Sequence, residues 1–432
     1  MKINTPKPAT RTHEGAPASR ISPEQQLRRS VMSCMLWEGE FYEDGANIAE
    51  RIAQLVPQVS TEKVAAIAIE ARSSMKLRHV PLLLVREMAR HPGHRPMVRR
   101  TLAQVIQRAD EMAEFLALYW KDGREKLASS VKRGLADAFQ KFSEHDLAKY
   151  NRDGAVKMRD ALFLSHAKPK DEAQAALWKR LVDGQLATPD TWEVALSAGA
   201  DKLATWNRLL AENKLGALAL LRNLRNMEVA GVSRETVRAA LGLMNVERVL
   251  PYRFVAAARY APWAEPELEA AMMRCTEGLP KITGRTALLI DVSGSMDSPI
   301  SSKSEMTRMD AACGLAILAR EMCEGVAVYT FSRGLVEPPL RRGFALRDAI
   351  VGSQPHGGTN LGAAVKALPR GWMERLVVFT DEQSHDAVSA IDGVRCYMVN
   401  VASAKNGVGY GAWNHIDGFS EATLAYIRES EQ

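Results

Sequence analysis

The sequence predicts a multidomain α + α/β protein, an all-α run of helical repeats followed by an α/β domain on a mostly parallel sheet. Three observations carry this prediction. At 432 residues the chain is longer than one ordinary core serves, so two or more domains are expected. From about residue 22 to residue 280, apolar residues recur at i, i+3, i+4 and i+7, and almost nothing reads as a strand. After Pro280, continuous Val/Ile/Leu runs alternate with helical stretches, the pattern of a parallel sheet covered on both faces.

Bulk composition narrows the class. The chain is 46% hydrophobic and 25% charged, as soluble globular proteins are, and no run of eighteen apolar residues marks a membrane span. Residues 1–21 are polar and rich in Pro, Thr and Ala, which predicts a flexible tail and no secretory signal. Five cysteines are scattered without a C-x-x-C pair, so reduced thiols and a cytoplasmic setting are expected. Charge is split: residues 281–432 hold 15 Lys+Arg and 17 Asp+Glu, leaving 42 and 34 in residues 1–280. A basic first part suits a polyanionic partner.

The helical series opens at "SPEQQLRRSVMSCMLWEG", with Ser22 as N-cap, Pro23 at the first helical position and Gly39 as a stop. "DGANIAERIAQLVPQ", "STEKVAAIAIEARSSM", "LRHVPLLLVREMARHP" and "RPMVRRTLAQVIQRADEMAEFLALYW" follow, separated by Gly, Pro or Asn breaks. Further on come "EKLASSVKRGLADAFQKF", "AVKMRDALFLSH", "DEAQAALWKRLVDG", "KLGALALLRNLRNM" and "SRETVRAALGLM". Each helix has one apolar face to bury, and stacking neighbours bury it in turn. That predicts an irregular, HEAT-like α-solenoid over residues 22–280, with a globular helical bundle as the alternative.

In residues 281–432, "RTALLIDVSGSM", "VAVYTFS", "RLVVFTDEQ" and "VRCYMVNVA" read as strands. "TRMDAACGLAILAREMCEG", "LGAAVKALPRG" and "SEATLAYIRESEQ" read as helices. Ligands of such sheets bind beyond the carboxyl ends of the strands, where two of the motifs fall. "DVSGS" puts Asp291, Ser293 and Ser295 on one turn, "HGGTN" adds Thr359, and "FTDEQ" adds Asp381 at a third strand end. Two carboxylates and three hydroxyls suit a small hard divalent metal, Mg²⁺ best of all. The alternative is that the hydroxyls only cap the following turn. A serine hydrolase is disfavoured, because no motif makes His356 or His385 a base, so the chain is not expected to be an enzyme.

The D-x-S-x-S, Thr, Asp series in this order closely resembles the metal-ion-dependent adhesion site of von Willebrand factor A domains. The resemblance implies a Rossmann-like A domain over 281–432 in which Ser293 and Ser295 bind the metal directly.

Four stretches, "LRRSVMSCMLWEGEFYEDG", "KMRDALFLSHAKP", "LGALALLRNLRNM" and "GRTALLIDVSGSM", together resemble the TROVE family of the Ro 60 kDa autoantigen and its bacterial relatives. The resemblance implies helical repeats closed into a ring with the A domain bridging its ends. It further implies binding of small non-coding Y-like RNA on a basic outer face, and of single-stranded 3′ ends of misfolded or structured RNA in a central hole. A monomer serving a 3′-to-5′ exoribonuclease such as polynucleotide phosphorylase in RNA quality control is the expected setting. Lys149, Arg152 and His166 match positions of the family's RNA-binding face. Lys168, Lys170, Lys132 and Arg133 add charge that can track phosphates. Arg95, Arg99 and Arg100 are further candidates, with a solvated helix face as the equal alternative for Arg99 and Arg100. Arg222 and Arg225 in "LLRNLRNM", with Asn223 and Asn226 beside them, read as mainly structural, a polar seam between helices, with RNA contact as the lesser reading. The other functional reading is a protein–protein module: a peptide-binding solenoid, and an A domain capturing a partner carboxylate through its metal.

Overall fold

The computed structural model describes residues 22–33, 45–151, 154–197, 199–247, 249, 251–300, 306–381, 384, 386–401, 413–417 and 422–431. Arg152, Cys34, Gly39 and His385 lie outside these residues. The chain divides into two compact units, one made of Pro23–Leu36 and Ala46–Thr205, the other containing Trp206–Gln432.

Among its described residues the first unit holds helices joined by loops, and no strand. It runs from Pro23–Ser33, with Pro23 at the predicted first position, to the short helix Trp192–Ser197. Neighbouring helices pack through their apolar stripes, and small residues set the closest approach. Gly134 in the helix Ser129–Phe139 lies so near the helix Arg95–Val105 that a Cβ would meet Arg99 O and Leu102 Cβ at 3.0 Å.

One predicted helix is broken. "RPMVRRTLAQVIQRADEMAEFLALYW" forms two, Arg95–Val105 and Asp110–Tyr119, rather than one. The reason is Glu111, whose fully buried carboxylate accepts the N–H groups of Gln107 (2.8 Å) and Arg108 (3.0 Å) and pairs with Arg72 at 2.7 Å. Donors at the second helix's start are thereby satisfied by a side chain instead of by a continuing helix.

The second unit holds the sheet. β1 (Ile282–Asp291), β2 (Cys323–Phe331), β3 (Leu335–Val336), β4 (Arg375–Thr380), β5 (Arg395–Asn400) and β6 (Trp413–Asp417) lie in the order β3-β2-β1-β4-β5-β6. All neighbours are parallel except β2 and β3, so the sheet is mixed only at one edge. β3 and β6 were not expected from the sequence; each is too short to show an apolar run. β1 and β4 are buried over their last six residues because helices cover both faces.

Helices that precede the sheet in sequence belong to the same unit. Tyr252–Tyr260 packs on the helix Arg308–Met322, and Glu265–Arg274 packs on Gly343–Val351. Ion pairs Arg259–Asp310 (2.6 Å) and Arg347–Glu265 (3.2 Å) fix these contacts, and Glu269 accepts the Phe344 N–H at 2.7 Å.

Candidate functional sites

The strand order reverses direction between β1 and β4, which opens a crevice at their carboxyl ends. Asp291 closes β1 there, and Asp381 follows β4 directly. The Asp291 carboxylate is buried, with Oδ1 accepting the Ser293 N–H at 2.8 Å and Oδ2 accepting the Thr380 hydroxyl at 2.6 Å. Burial, and then the nearby Asp381 charge, push its pKa up to about 7.

Ser293 and Ser295 present their hydroxyls to each other at 3.2 Å. Ser293 makes no side-chain cap on the short 3₁₀ helix Gly294–Asp297, so turn capping does not account for its hydroxyl. The Gly294 N–H donates to Gly357 O at 3.0 Å and joins this turn to the loop carrying buried Thr359. Asp381 Oδ1 is buried without any hydrogen-bond partner among the described residues. A buried carboxylate oxygen left open beside a second carboxylate and hydroxyl oxygens is the donor set a hard cation completes. The five predicted residues therefore fit a divalent metal, with Asp291, Ser293, Ser295, Thr359 and Asp381 as those that would hold it. No cluster of three or more His, Cys, Asp or Glu forms among the described residues, since the remaining donors here are hydroxyls.

One group in this site was missed by the sequence reading. Arg308 Nη1 donates to Asp381 Oδ2 at 2.7 Å, and both side chains are buried. Thr307 and Asp310 cap the helix at whose first position Arg308 stands, with Thr307 N–H to Asp310 Oδ2 at 2.7 Å and Asp310 N–H to Thr307 Oγ1 at 3.2 Å. Seventy-three residues separate Arg308 from Asp381, and no local pattern announces the pair.

His356 is not placed as a base for either serine. Its Nδ1 lies 2.9 Å from Asp297 Oδ2 and its Nε2 lies 3.1 Å from Val351 O. Both partners only accept, so the ring is best satisfied as imidazolium. The hydrogen bond to Asp297 accordingly raises its pKa.

The second candidate site lies in the first unit. The helix Met158–Ser165 ends on His166, which adopts the left-handed conformation with φ 53°, and its N–H donates to Phe163 O at 3.1 Å. That position usually takes Gly or Asn, so an exposed histidine held there is strained. Phe163 beside it is 60% exposed, and Lys168 and Lys170 follow on the surface. Gln140 Nε2 donates to Lys168 O at 2.7 Å, tying this loop to the end of the helix Ser129–Phe139. Lys132 and Arg133 lie roughly 10–12 Å back along that helix from Gln140. Lys149 sits in the last turn of Glu144–Tyr150, its Nζ 5.6 Å from the Tyr150 ring centroid; Arg108 lies over the same ring at 4.4 Å. Arg99 differs from the rest, because Asp137 holds it in two hydrogen bonds at 2.7 and 3.0 Å.

The polar seam expected of "LLRNLRNM" forms in part, without Arg222 and Arg225. The seam is made by the asparagines: buried Asn223 donates to Ala219 O at 2.8 Å and accepts from Asn226 Nδ2 at 2.8 Å. Both arginines are exposed and line a pocket with Arg253.

The described residues are mostly helical and carry a mixed six-stranded sheet with an oxygen-rich switch point, which defines the class as α with α/β. The TROVE domain model matches residues 173–264. The chain is 22% identical over 300 residues to telomerase protein component 1 of Mus musculus, covering 49% of this chain and 11% of that protein. The Rattus norvegicus counterpart is 23% identical over the same length and shares. The chain therefore spans about a tenth of the length of these relatives. The crystal structure of the Deinococcus radiodurans RO (RSR) protein superposes with a TM-score of 0.62 at 19% identity, covering 95% of this chain and 99% of that one. At that identity the likeness speaks for the fold.

Proposed function

We propose that the chain is an RNA-binding component of a ribonucleoprotein particle. The observation that carries this reading is the exposed basic set around His166, within helical layers of a chain that the TROVE domain model matches in part and whose fold is similar to that of a RO protein. In this reading the helical repeats close into a ring bridged by a von Willebrand factor A domain. Small non-coding, Y-like RNA lies on the basic face of Lys132, Arg133, Lys149, Arg152, His166, Lys168 and Lys170. Single-stranded 3′ ends of misfolded RNA enter a central hole. The particle presents such RNA to a 3′-to-5′ exoribonuclease in the cytoplasm, and the chain performs no chemistry of its own. Guanidinium and ammonium groups supply phosphate contacts, so affinity falls steeply with salt. Filter binding at physiological salt tests it: a structured RNA with a single-stranded 3′ tail should bind at submicromolar concentration and outcompete heparin. Affinity no better than for heparin defeats the reading.

A second reading is supported by the open Asp381 Oδ1. Mg²⁺ held by Asp291, Ser293, Ser295, Thr359 and Asp381 would leave a coordination position for a partner's carboxylate. EDTA should then release a protein partner while RNA binding persists.

A further inference from the structure

The helices Ala217–Val229 and Tyr252–Tyr260 enclose an open pocket of about 310 Å³. Two matched stripes build it. Leu218, Arg222 and Arg225 stand at i, i+4 and i+7 on the first helix; Arg253, Ala257 and Tyr260 stand at the same spacing on the second. This periodicity brings each set to one face. Three guanidinium groups thus share a single rim, and no carboxylate lines the pocket.

Nearby arginines are matched to acids: Arg234 to Glu228 at 2.8 Å and Arg259 to Asp310 at 2.6 Å. Arg222, Arg225 and Arg253 enter no ion pair among the described residues. Gathering three like charges costs Coulomb repulsion, which a bound anion offsets, and guanidinium forks suit phosphate oxygens. Arg253 is steadied over the Tyr252 ring at 4.8 Å. Between the arginines lies apolar surface: Leu218 is 45% exposed and Tyr260 37%. Asn226 donates its Nδ2 to Asn223 and keeps its Oδ1 available to accept. The volume lies at the small end of ligand pockets, which span roughly 300–1,000 Å³.

We infer that this pocket binds one nucleotide, with its phosphate on the Arg222, Arg225 and Arg253 rim and its base on the Leu218 and Tyr260 surface. The nucleotide is either free or part of a single strand. Only the strand-borne form rests on the RNA-binding reading.

The full chain should be titrated with AMP and adenosine by calorimetry, and with a labelled ten-residue oligoadenylate by anisotropy. The variants are R222Q/R225Q/R253Q and, as a charge-matched control, K179Q/K202Q/R285Q. All six residues are exposed, so both proteins should keep the parent Tm. Expected is a loss of about tenfold or more in the pocket variant but not in the control, with adenosine binding about tenfold more weakly than AMP. Loss for AMP identifies a free nucleotide as a ligand; loss for the oligonucleotide alone identifies the strand. The inference is overturned if wild type binds neither ligand, if the pocket variant stays within about twofold, or if the control loses as much. Arginine-dependent AMP binding without binding of tailed structured RNA would keep this pocket and sink the RNA reading.

Discussion

Arg308 and Asp381 form a buried ion pair at 2.7 Å, in which the arginine takes one carboxylate oxygen and leaves the other open. Asp291 stands close enough to Asp381 for its ionisation to be opposed. One guanidinium therefore serves as the fixed counter-charge of a two-carboxylate crevice. Arg308→Gln should destabilise the protein by about 3–5 kcal/mol, because a buried charge then loses its partner. Thermal unfolding would show this as a lowered Tm, and millimolar Mg²⁺ should recover more of the loss than it adds to wild type. An unchanged Tm would deny the pair that role.

The oxygen cluster predicts its own removal experiment. Asp291→Ala and Asp381→Asn should each abolish Mn²⁺ binding measured by calorimetry or paramagnetic relaxation, while filter binding of RNA stays at the parent level. Ser295→Ala, which removes one neutral oxygen, should weaken the metal by roughly tenfold to a hundredfold without abolishing it.

His356 gives a pH signature. Its folded pKa lies above the ordinary 6.5, so the folded state holds the proton more tightly than the unfolded chain. The contribution to stability is complete below about pH 6.5 and fades as pH rises through the raised value. Asp297 is 56% exposed, which keeps the effect to about 1 kcal/mol or less. The stability gap between wild type and His356→Ala in urea titrations should be widest below about pH 6.5 and should narrow as pH rises.

At His166, stability and RNA affinity should move apart. Glycine accepts the left-handed conformation freely, so His166→Gly should leave stability unchanged or raise it by up to about 1 kcal/mol. The same variant should bind tailed RNA several-fold more weakly. Equal affinity would remove His166 from the interface.

Glu111 makes a prediction for the first unit. Its carboxylate joins Arg72 to two backbone N–H groups, so Glu111→Ala should cost about 3–5 kcal/mol and expose the 106–109 break to hydrogen exchange. Glu111→Gln, which keeps one acceptor, should cost less.

The parts of this molecule legible in the sequence were those written in consecutive residues. β1 and β4 are long apolar runs, and their oxygen-bearing ends could be read directly from "DVSGS" and "FTDEQ". The break after Val105 was hidden because Glu111 acts backward on Gln107 and Arg108, which periodicity alone cannot show. Arg308 was hidden by its distance along the chain from Asp381. Arg222 and Arg225 are visible in the sequence as members of a polar segment, with RNA contact as its lesser reading. Their meaning needed Arg253, which lies in a helix the sequence reading had not singled out; comparing the two stripes residue by residue is the signal that could have found the pocket.

The two residues of β3 set how this sheet meets other chains. An antiparallel strand that short offers almost no free ladder, and Pro338 and Pro339 just beyond it lack the N–H groups a newcomer would need. Strand addition therefore finds little template along β3 itself, which covers only Thr330 and Phe331 of β2. Extended peptides and the sheets of neighbouring copies would gain few ladder hydrogen bonds from β3, so β3 is a poor seed for β-aggregation.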